Sequence, residues 1–158
     1  MENTLILTID TLTLPLARFA KGGAGREIAN EGGVDYTPIG VGISNGARVQ
    51  KHLWTIDCWL TEPEWQLLQR MYQRANAKRL ARQEYRVYLD DFAELWVDDL
   101  ARQYALAPTG TVVVQAGLVT YPRRYAVRIL QPKATWSDNV QTIRRATFTL
   151  AELGVIYA

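Results

Sequence analysis

His52 and Cys58 are the side chains best suited to nucleophilic chemistry, since they are the only histidine and the only cysteine of the chain. They lie six residues apart in an alternating segment that predicts a strand. That separation spans about 20 Å along a strand, so the two side chains would share a face without meeting. A nucleophile must lie within hydrogen-bond distance of its base. We therefore predict no catalytic pair here, and such a composition also predicts no zinc-type metal site.

Two pairs of neighbouring carboxylates, Asp90-Asp91 and Asp98-Asp99, are the other candidates for chemistry. Such pairs can bind a hard cation or serve as acid and base. Aspartate is also frequent in turns, where its side chain bonds to nearby backbone. We interpret the first pair as the turn of a hairpin between residues 85–89 and 92–97, and the second as the end of that hairpin. A cation site is the alternative. We expect no catalytic residue, no cofactor and no enzymatic activity.

Glycine is concentrated in one stretch, since eight of the eleven glycines lie between residues 21 and 46. The stretch matches neither the GxGxxG fingerprint nor a phosphate-binding loop. Because dense glycine makes ordering costly in entropy, we predict a mobile loop at about residues 21–46, interrupted by a short strand near 36–41. Long loops in compact domains commonly bind partners. Gly22, Gly23 and Gly25 are therefore candidate interface residues.

One helix is predicted with sharp boundaries. Residues 61–64 read Thr-Glu-Pro-Glu, a capping box with proline in the first turn. Trp65, Leu68, Tyr72 and Ala75 then recur at spacings of three and four, which is typical of one apolar helix face. The sequence predicts a helix at about residues 62–80 that packs against a sheet.

A basic stripe follows that helix, formed by Arg70, Arg74, Lys78 and Arg82 at intervals of four. Three interpretations compete. The stripe is a solvated face, it meets an acidic patch on a neighbouring subunit, or it contacts nucleic-acid phosphates. We favour the first two together, so these four residues are interface candidates.

Trp54 is a further interface candidate, because Trp54 and Trp59 fall on opposite faces of one predicted strand. The alternative is a core tryptophan whose indole N–H finds an acceptor.

Alternating segments predict strands in most of the remaining chain. They occupy residues 4–14 with a bend at Asp10, 49–60, 112–114, 121–130 and 146–153, with turn or loop residues at 108–110 and 132–139. Many strands with one helix indicate a mainly β (α+β) fold. We predict a small antiparallel split β-barrel or sandwich, braced by the helix and formed by residues 1–158 as a single domain.

The composition of the chain restricts the class of protein further. The chain has 158 residues, of which 48% are hydrophobic and 22% charged, as is typical of one globular domain. The formal net charge of +2 is too small to indicate a partner class. One cysteine forms no intramolecular disulfide, which favours a reducing compartment. No basic, apolar leader and no run of about 18 apolar residues is present, so we expect a soluble protein that is neither secreted nor membrane-spanning.

The passage from Trp54 to Leu68, Trp-Thr-Ile-Asp-Cys-Trp-Leu-Thr-Glu-Pro-Glu-Trp-Gln-Leu-Leu, resembles tail proteins of bacteriophages. In that group a strand ends in a short cap and feeds a helix that packs on a split β-barrel, and a hairpin follows. The segment from Arg145 to Leu153 resembles the closing strand of the same group. The similarity covers about residues 49–153 and is greatest to distal-tail or baseplate-hub components.

The resemblance implies a structural subunit of the virion tail, assembled in the host cytoplasm. It implies a homo-oligomeric ring, expected to be hexameric, that contacts neighbouring tail or baseplate proteins. Nucleic acid would only pass through the ring's channel. The alternative function is a nucleic-acid-binding β-barrel that uses the basic stripe.

Overall fold

Antiparallel strands and one helix make up the computed structural model, which describes residues 5–28, 33–36, 38–40, 42–45, 51–98, 113–137 and 140–155. In chain order the elements are β1 (Leu5–Ile9), β2 (Leu12–Leu16), β3 (Phe19–Ile28), β4 (Gly33–Tyr36), β5 (Gly42–Asn45), β6 (His52–Thr61), α1 (Glu62–Leu80), β7 (Val87–Asp98), β8 (Val113–Gln115), β9 (Leu118–Ser137) and β10 (Val140–Val155). The predicted mainly β fold is confirmed.

The main sheet has the strand order β2-β1-β7-β9-β10-β6-β3, with β8 added to β9, while β4 and β5 form a separate hairpin. Neighbouring strands are antiparallel throughout. Alternate residues of each strand are buried, as in β1, where Leu5, Leu7 and Ile9 are almost fully covered. The sheet curls around these side chains into a half-barrel.

A bent strand brings the two edges of the sheet together. β2 and β3 lie at opposite ends of the strand order, yet only Ala17 and Arg18 separate them in the chain. Because directions alternate across the sheet, both run the same way, so the chain pairs first with β1 and then with β6. The Trp59 amide donates to the Arg18 carbonyl at 2.7 Å, at the corner between them. This corner closes one side of the split barrel.

Helix α1 covers one end of the half-barrel. It begins where the sequence predicts, with the Glu64 carboxylate accepting a hydrogen bond from the Thr61 amide at 2.7 Å. Trp65, Leu68 and Ala75 are buried as predicted, Met71 is buried beside them, and Tyr72 is partly covered. The helix ends at Leu80, in agreement with the predicted range. Its apolar face completes the core.

Alternation of strand direction defines two different ends of the barrel. The end of β6 and the turn between β1 and β2 lie beside α1, and we call this the helix end. The start of β6 and the ends of β3 and β10 lie opposite, and we call this the far end.

The glycine-rich segment differs from the prediction. Residues 21–28 belong to β3, so the predicted loop is wrong there, and β4 and β5 replace the short strand predicted near 36–41. The pairing of β3 with β6 jumps from Phe19 opposite Cys58 to Ala24 opposite Ile56, which defines a bulge. Gly22 in this bulge has a φ of +73°. The glycines here build a bulge in a strand.

Two other predicted turns are strands. β7 continues through Asp90 and Asp91, which pair with Arg124 and Arg123 of β9, so the hairpin turn predicted there is wrong. The strand end predicted at Asp98-Asp99 extends beyond the described residues. β9 continues to Ser137, so the loop predicted at residues 132–139 is wrong over residues 132–137, where a bulge at Gln131 replaces it. The turn predicted at residues 108–110 lies outside the described residues.

The bulge gives a stability test. A Cβ on residue 23 would lie 2.1 Å from the Asp57 carbonyl oxygen, a backbone atom that moves only if β3 leaves β6. We expect Gly23→Ala to lower the free energy of unfolding by about 2–3 kcal/mol, measured by chemical denaturation. Gly25→Ala is the matched control, because its Cβ would meet nothing within 4 Å. Equal losses in the two variants would contradict this packing.

Candidate functional site

Polar and aromatic side chains form a layer across the far end of the barrel. This polar layer is contributed by five strands and consists of Arg26, His52, Trp54, Asp91, Arg123, Tyr125 and Glu152. His52 and Trp54 are on the buried face of β6, in line with the apolar residues nearer the helix. The interior is therefore apolar beside α1 and polar at the opposite end.

Asp91 is the acceptor that joins three of these strands. Its side chain is 1% exposed, and its Oδ2 accepts from Trp54 Nε1 at 3.0 Å and from Arg26 Nη1 at 3.3 Å. Arg26 Nη1 also donates to the Tyr125 hydroxyl at 3.0 Å. Trp54 is 1% exposed and presents no surface to a partner. The interface prediction for Trp54 is therefore wrong, and the alternative of a core tryptophan with a bonded N–H is confirmed.

His52 and Glu152 form the second pair of the layer. Glu152 Oε2 accepts from the His52 backbone amide at 2.8 Å and lies 2.7 Å from His52 Nδ1. The His52 ring is 5.5 Å from the Tyr125 ring, which packs edge-on against Trp54 at 4.7 Å. These contacts fix the imidazole inside the barrel.

Cys58 lies deeper in the same strand. It is fully buried, and desolvation raises the pKa of its thiol to about 12. The thiol is protonated at neutral pH, and protonated thiols are poor nucleophiles.

Asp90, the other carboxylate considered for cation binding or acid–base chemistry, is paired with an arginine. Asp90 receives two hydrogen bonds from Arg124, at 2.6 and 2.9 Å, and this pairing raises the pKa of Arg124. Among the residues that the structure describes, no group of three His, Cys, Asp or Glu side chains is placed to hold a metal ion. The alternative of a cation site at Asp98-Asp99 concerns a pair that extends beyond the described residues.

A second cluster lies at the helix end, where β9 and β10 extend past the core. Trp136 is 45% exposed, and Arg144, its partner in the pairing of β9 with β10, places Cζ 3.6 Å from the centre of one of its rings. Glu62 in the first turn of α1 accepts from Arg144 at 2.6 and 3.3 Å. These hydrogen bonds hold the pKa of Glu62 below its usual value.

The neighbouring residues repeat this arrangement on the other face of the sheet. Arg145 pairs with Trp59 across the strands, with Cζ 5.8 Å from the ring centre. Asp57 accepts from Arg145 at 2.9 and 2.6 Å, and this lowers the pKa of Asp57. We call the two arrangements, made of Trp59, Trp136, Arg144, Arg145, Asp57 and Glu62, the arginine–tryptophan rim.

The basic stripe meets an acidic residue of its own chain. Asp10, in the turn between β1 and β2 with a φ of +51°, accepts from Lys78 at 3.0 Å and from Arg74 at 3.4 Å. The hydrogen bond from Lys78 is the main cause of a lowered Asp10 pKa. Arg82 follows the helix with a φ of +54° and leaves the stripe. Arg70 stays exposed on the helix.

The other predicted interface residues lie in β3. Gly22 and Gly25 are exposed and Gly23 is buried against β6. Their contact with a partner stays a prediction.

The sequence analysis interpreted Asp91 as half of a turn, and it did not identify Glu152, Trp136 or Arg144 as site residues. A signal existed for one of them, since Val87, Leu89 and Asp91 alternate in one strand and would share its buried face. Glu152 reaches His52 across 100 residues of sequence, whereas Trp136 and Arg144 are eight residues apart and meet through the pairing of β9 with β10.

Comparison with known proteins does not assign a family: no protein-family model matches the chain, and no curated protein has a significantly similar sequence. Among the described residues, no helix is both long and apolar enough to cross a membrane.

The polar layer can be tested at Asp91. Asp91→Ala removes the acceptor of the Trp54 N–H and the carboxylate beside Arg26, so we expect the free energy of unfolding to fall by about 3–5 kcal/mol. Asp91→Asn keeps an oxygen acceptor and should cost less. Asp57→Ala is the control, because this surface ion pair should contribute about 1 kcal/mol or less in denaturant titrations. A loss at Asp91 no larger than at Asp57 would contradict the assignment.

Cys58 gives a reactivity test. With a pKa of about 12, only about one thiol in ten thousand is ionised at pH 8. We expect a disulfide reagent to leave the native protein unlabelled over hours, and to label one thiol per chain at once in denaturant. Rapid labelling of the native protein would show that the thiol is accessible and activated.

Proposed function

We propose that this protein is a structural subunit of a phage tail or baseplate, of the distal-tail, hub or adaptor type, that acts through contacts between subunits. The observation that carries the proposal is the arginine–tryptophan rim. There an exposed indole, Trp136, lies against a guanidinium that its own chain already holds in place.

The composition of the rim is that of an assembly surface. Tryptophan and arginine are enriched among the residues that contribute most to protein–protein binding. Glu62 fixes Arg144 before any partner arrives, so little side-chain entropy is lost on association. A partner that covers Trp136 would remove a large apolar side chain from water. The rim is therefore suited to a repeated contact between subunits.

The layout of the fold supports the same proposal. A strand rich in tryptophan, β6, ends in the capped start of α1, and α1 packs on a half-barrel. This is the layout that the resemblance to distal-tail and baseplate-hub proteins implies. In that setting the subunits form a closed ring, expected to be hexameric, within the virion tail, and the contact between copies is head-to-tail.

The two other functional classes have weaker support. Nucleic-acid binding would use the basic stripe, but Asp10 already partners Arg74 and Lys78, which reduces the charge available to phosphates. Catalysis would need a free acid, base or nucleophile. Asp90 and Glu152 are instead bound to Arg124 and His52, and Cys58 is a buried thiol.

Assembly is tested by the mass of the particle that the protein forms. We expect native mass spectrometry and sedimentation velocity to detect a ring, and Trp136→Ala to weaken association about ten- to a hundredfold, as loss of a central contact does. The thermal midpoint of the dissociated subunit should change little, since Trp136 is outside the core.

The control removes an exposed apolar side chain from the far end of the barrel. Leu153 is 54% exposed, and Leu153→Ala should leave association through the rim intact. A protein that stays monomeric at all concentrations, and that mass spectrometry does not find in purified tails, would overturn the proposal.

A further inference from the structure

A cleft of about 220 Å³ opens between the C-terminal half of α1 and strand β9. Its floor is apolar and buried, formed by Ala75, Val87 and Ile129. Its mouth carries hydrogen-bonding groups: Tyr72, Asn76, Arg79, Tyr85, Arg128 and Gln131. An apolar floor with a few polar groups at the opening is typical of a ligand site.

The charged side chains that line the cleft are all positive. Arg79 comes from the helix and Arg128 from the sheet, and no lining residue carries a carboxylate. Among the described residues neither arginine is within ion-pair distance of an Asp or Glu. Asn76 Oδ1 accepts from Arg79 Nη2 at 2.8 Å and from Nε at 3.2 Å, which positions the guanidinium without neutralising it. Guanidinium groups bind carboxylates through paired, charge-assisted hydrogen bonds.

The nearby helix terminus does not oppose an anion strongly. Three of its last four carbonyl oxygens are bonded within the turn, with the Ala81, Arg82 and Gln83 amides donating to Ala77, Arg79 and Lys78 at 3.0, 3.1 and 2.9 Å. These hydrogen bonds reduce the negative partial charge that the helix terminus presents beside the cleft.

Gln131 supplies an independent observation. It lines the cleft with a φ of +44°, a left-handed conformation that is unfavourable for residues other than glycine. It lies in the bulge where the pairing shifts from Leu130 opposite Thr149 to Lys133 opposite Thr147. Bulges redirect side chains next to binding sites, and such strained residues cluster at ligand contacts.

We propose that this cleft binds a carboxylate carried on a compact apolar body. Arg79 and Arg128 bind the carboxylate at the mouth, and the apolar part lies on Ala75, Val87 and Ile129. The carboxylate belongs either to a free organic acid or to an acidic side chain, next to an apolar residue, of a neighbouring copy of this chain.

Titration with phenylacetate, followed by amide chemical shifts of the labelled protein, tests the site. We expect saturable shifts centred on residues 72–79 and 128–131 at about millimolar concentration. Phenylacetamide has the same shape without the charge and should bind at least about tenfold more weakly. Equal binding of the two compounds, or shifts away from the cleft, would overturn the proposal.

Variants identify the groups responsible. Arg128→Gln and Arg79→Gln should each weaken phenylacetate binding about tenfold or more. Lys21→Gln removes one positive charge from an exposed position in β3, outside the cleft, and should leave binding unchanged. Folded arginine variants that bind as well as the wild type would overturn the proposal.

The source of the carboxylate is distinguished by self-association. If phenylacetate weakens association of the wild type, a neighbouring copy supplies the carboxylate; if binding leaves association unchanged, the ligand is a free acid. A protein that is monomeric and yet binds phenylacetate would contradict the proposed assembly and still support this site.

Discussion

The buried carboxylate of Asp91 is the constraint on which the arrangement of the barrel depends. Asp91 lies opposite Leu5 of β1 on one side and opposite Arg123 of β9 on the other, at the far end of the barrel. Arg26 from β3 and Trp54 from β6 both donate to the Asp91 carboxylate across the interior of the barrel. A buried charge is costly unless it is hydrogen-bonded, so alternatives in which these strands shift by one residue are disfavoured.

Because Asp91 needs polar partners, the interior of the barrel differs between its two ends. At the far end the interior is occupied by charged and aromatic groups that hydrogen-bond and pack with one another, and these contacts favour one register. At the helix end the interior is apolar, and α1 adds Trp65, Leu68 and Met71 to the same core. The helix therefore contributes burial, and the polar layer contributes specificity. The exposed side chains of the rim and of the cleft mouth contribute to neither.

Sequence reasoning succeeded where structure follows from near neighbours. The capping box and the three-to-four spacing are complete within one segment, so α1 was predicted with its correct bounds. It failed where distant residues decide. Glycine density suggests a loop, but Gly23 is required because β3 approaches the Asp57 carbonyl. The pair Asp90-Asp91 suggests a turn, but arginines from β3 and β9 keep both residues inside a strand. Trp136 and Arg144 are close in sequence, but their contact depends on the register in which β9 pairs with β10.

The rim and the cleft differ in one respect that determines what each can bind. In both, a residue of the same chain holds an arginine in place: Glu62 holds Arg144, and Asn76 holds Arg79. Glu62 is anionic, so it neutralises Arg144 and leaves a rigid aromatic surface with little net charge, which suits contact with another protein surface. Asn76 is neutral, so Arg79 keeps its charge and, with Arg128, attracts an anion. The charge of the residue that positions each arginine therefore determines whether the surface suits assembly or anion binding.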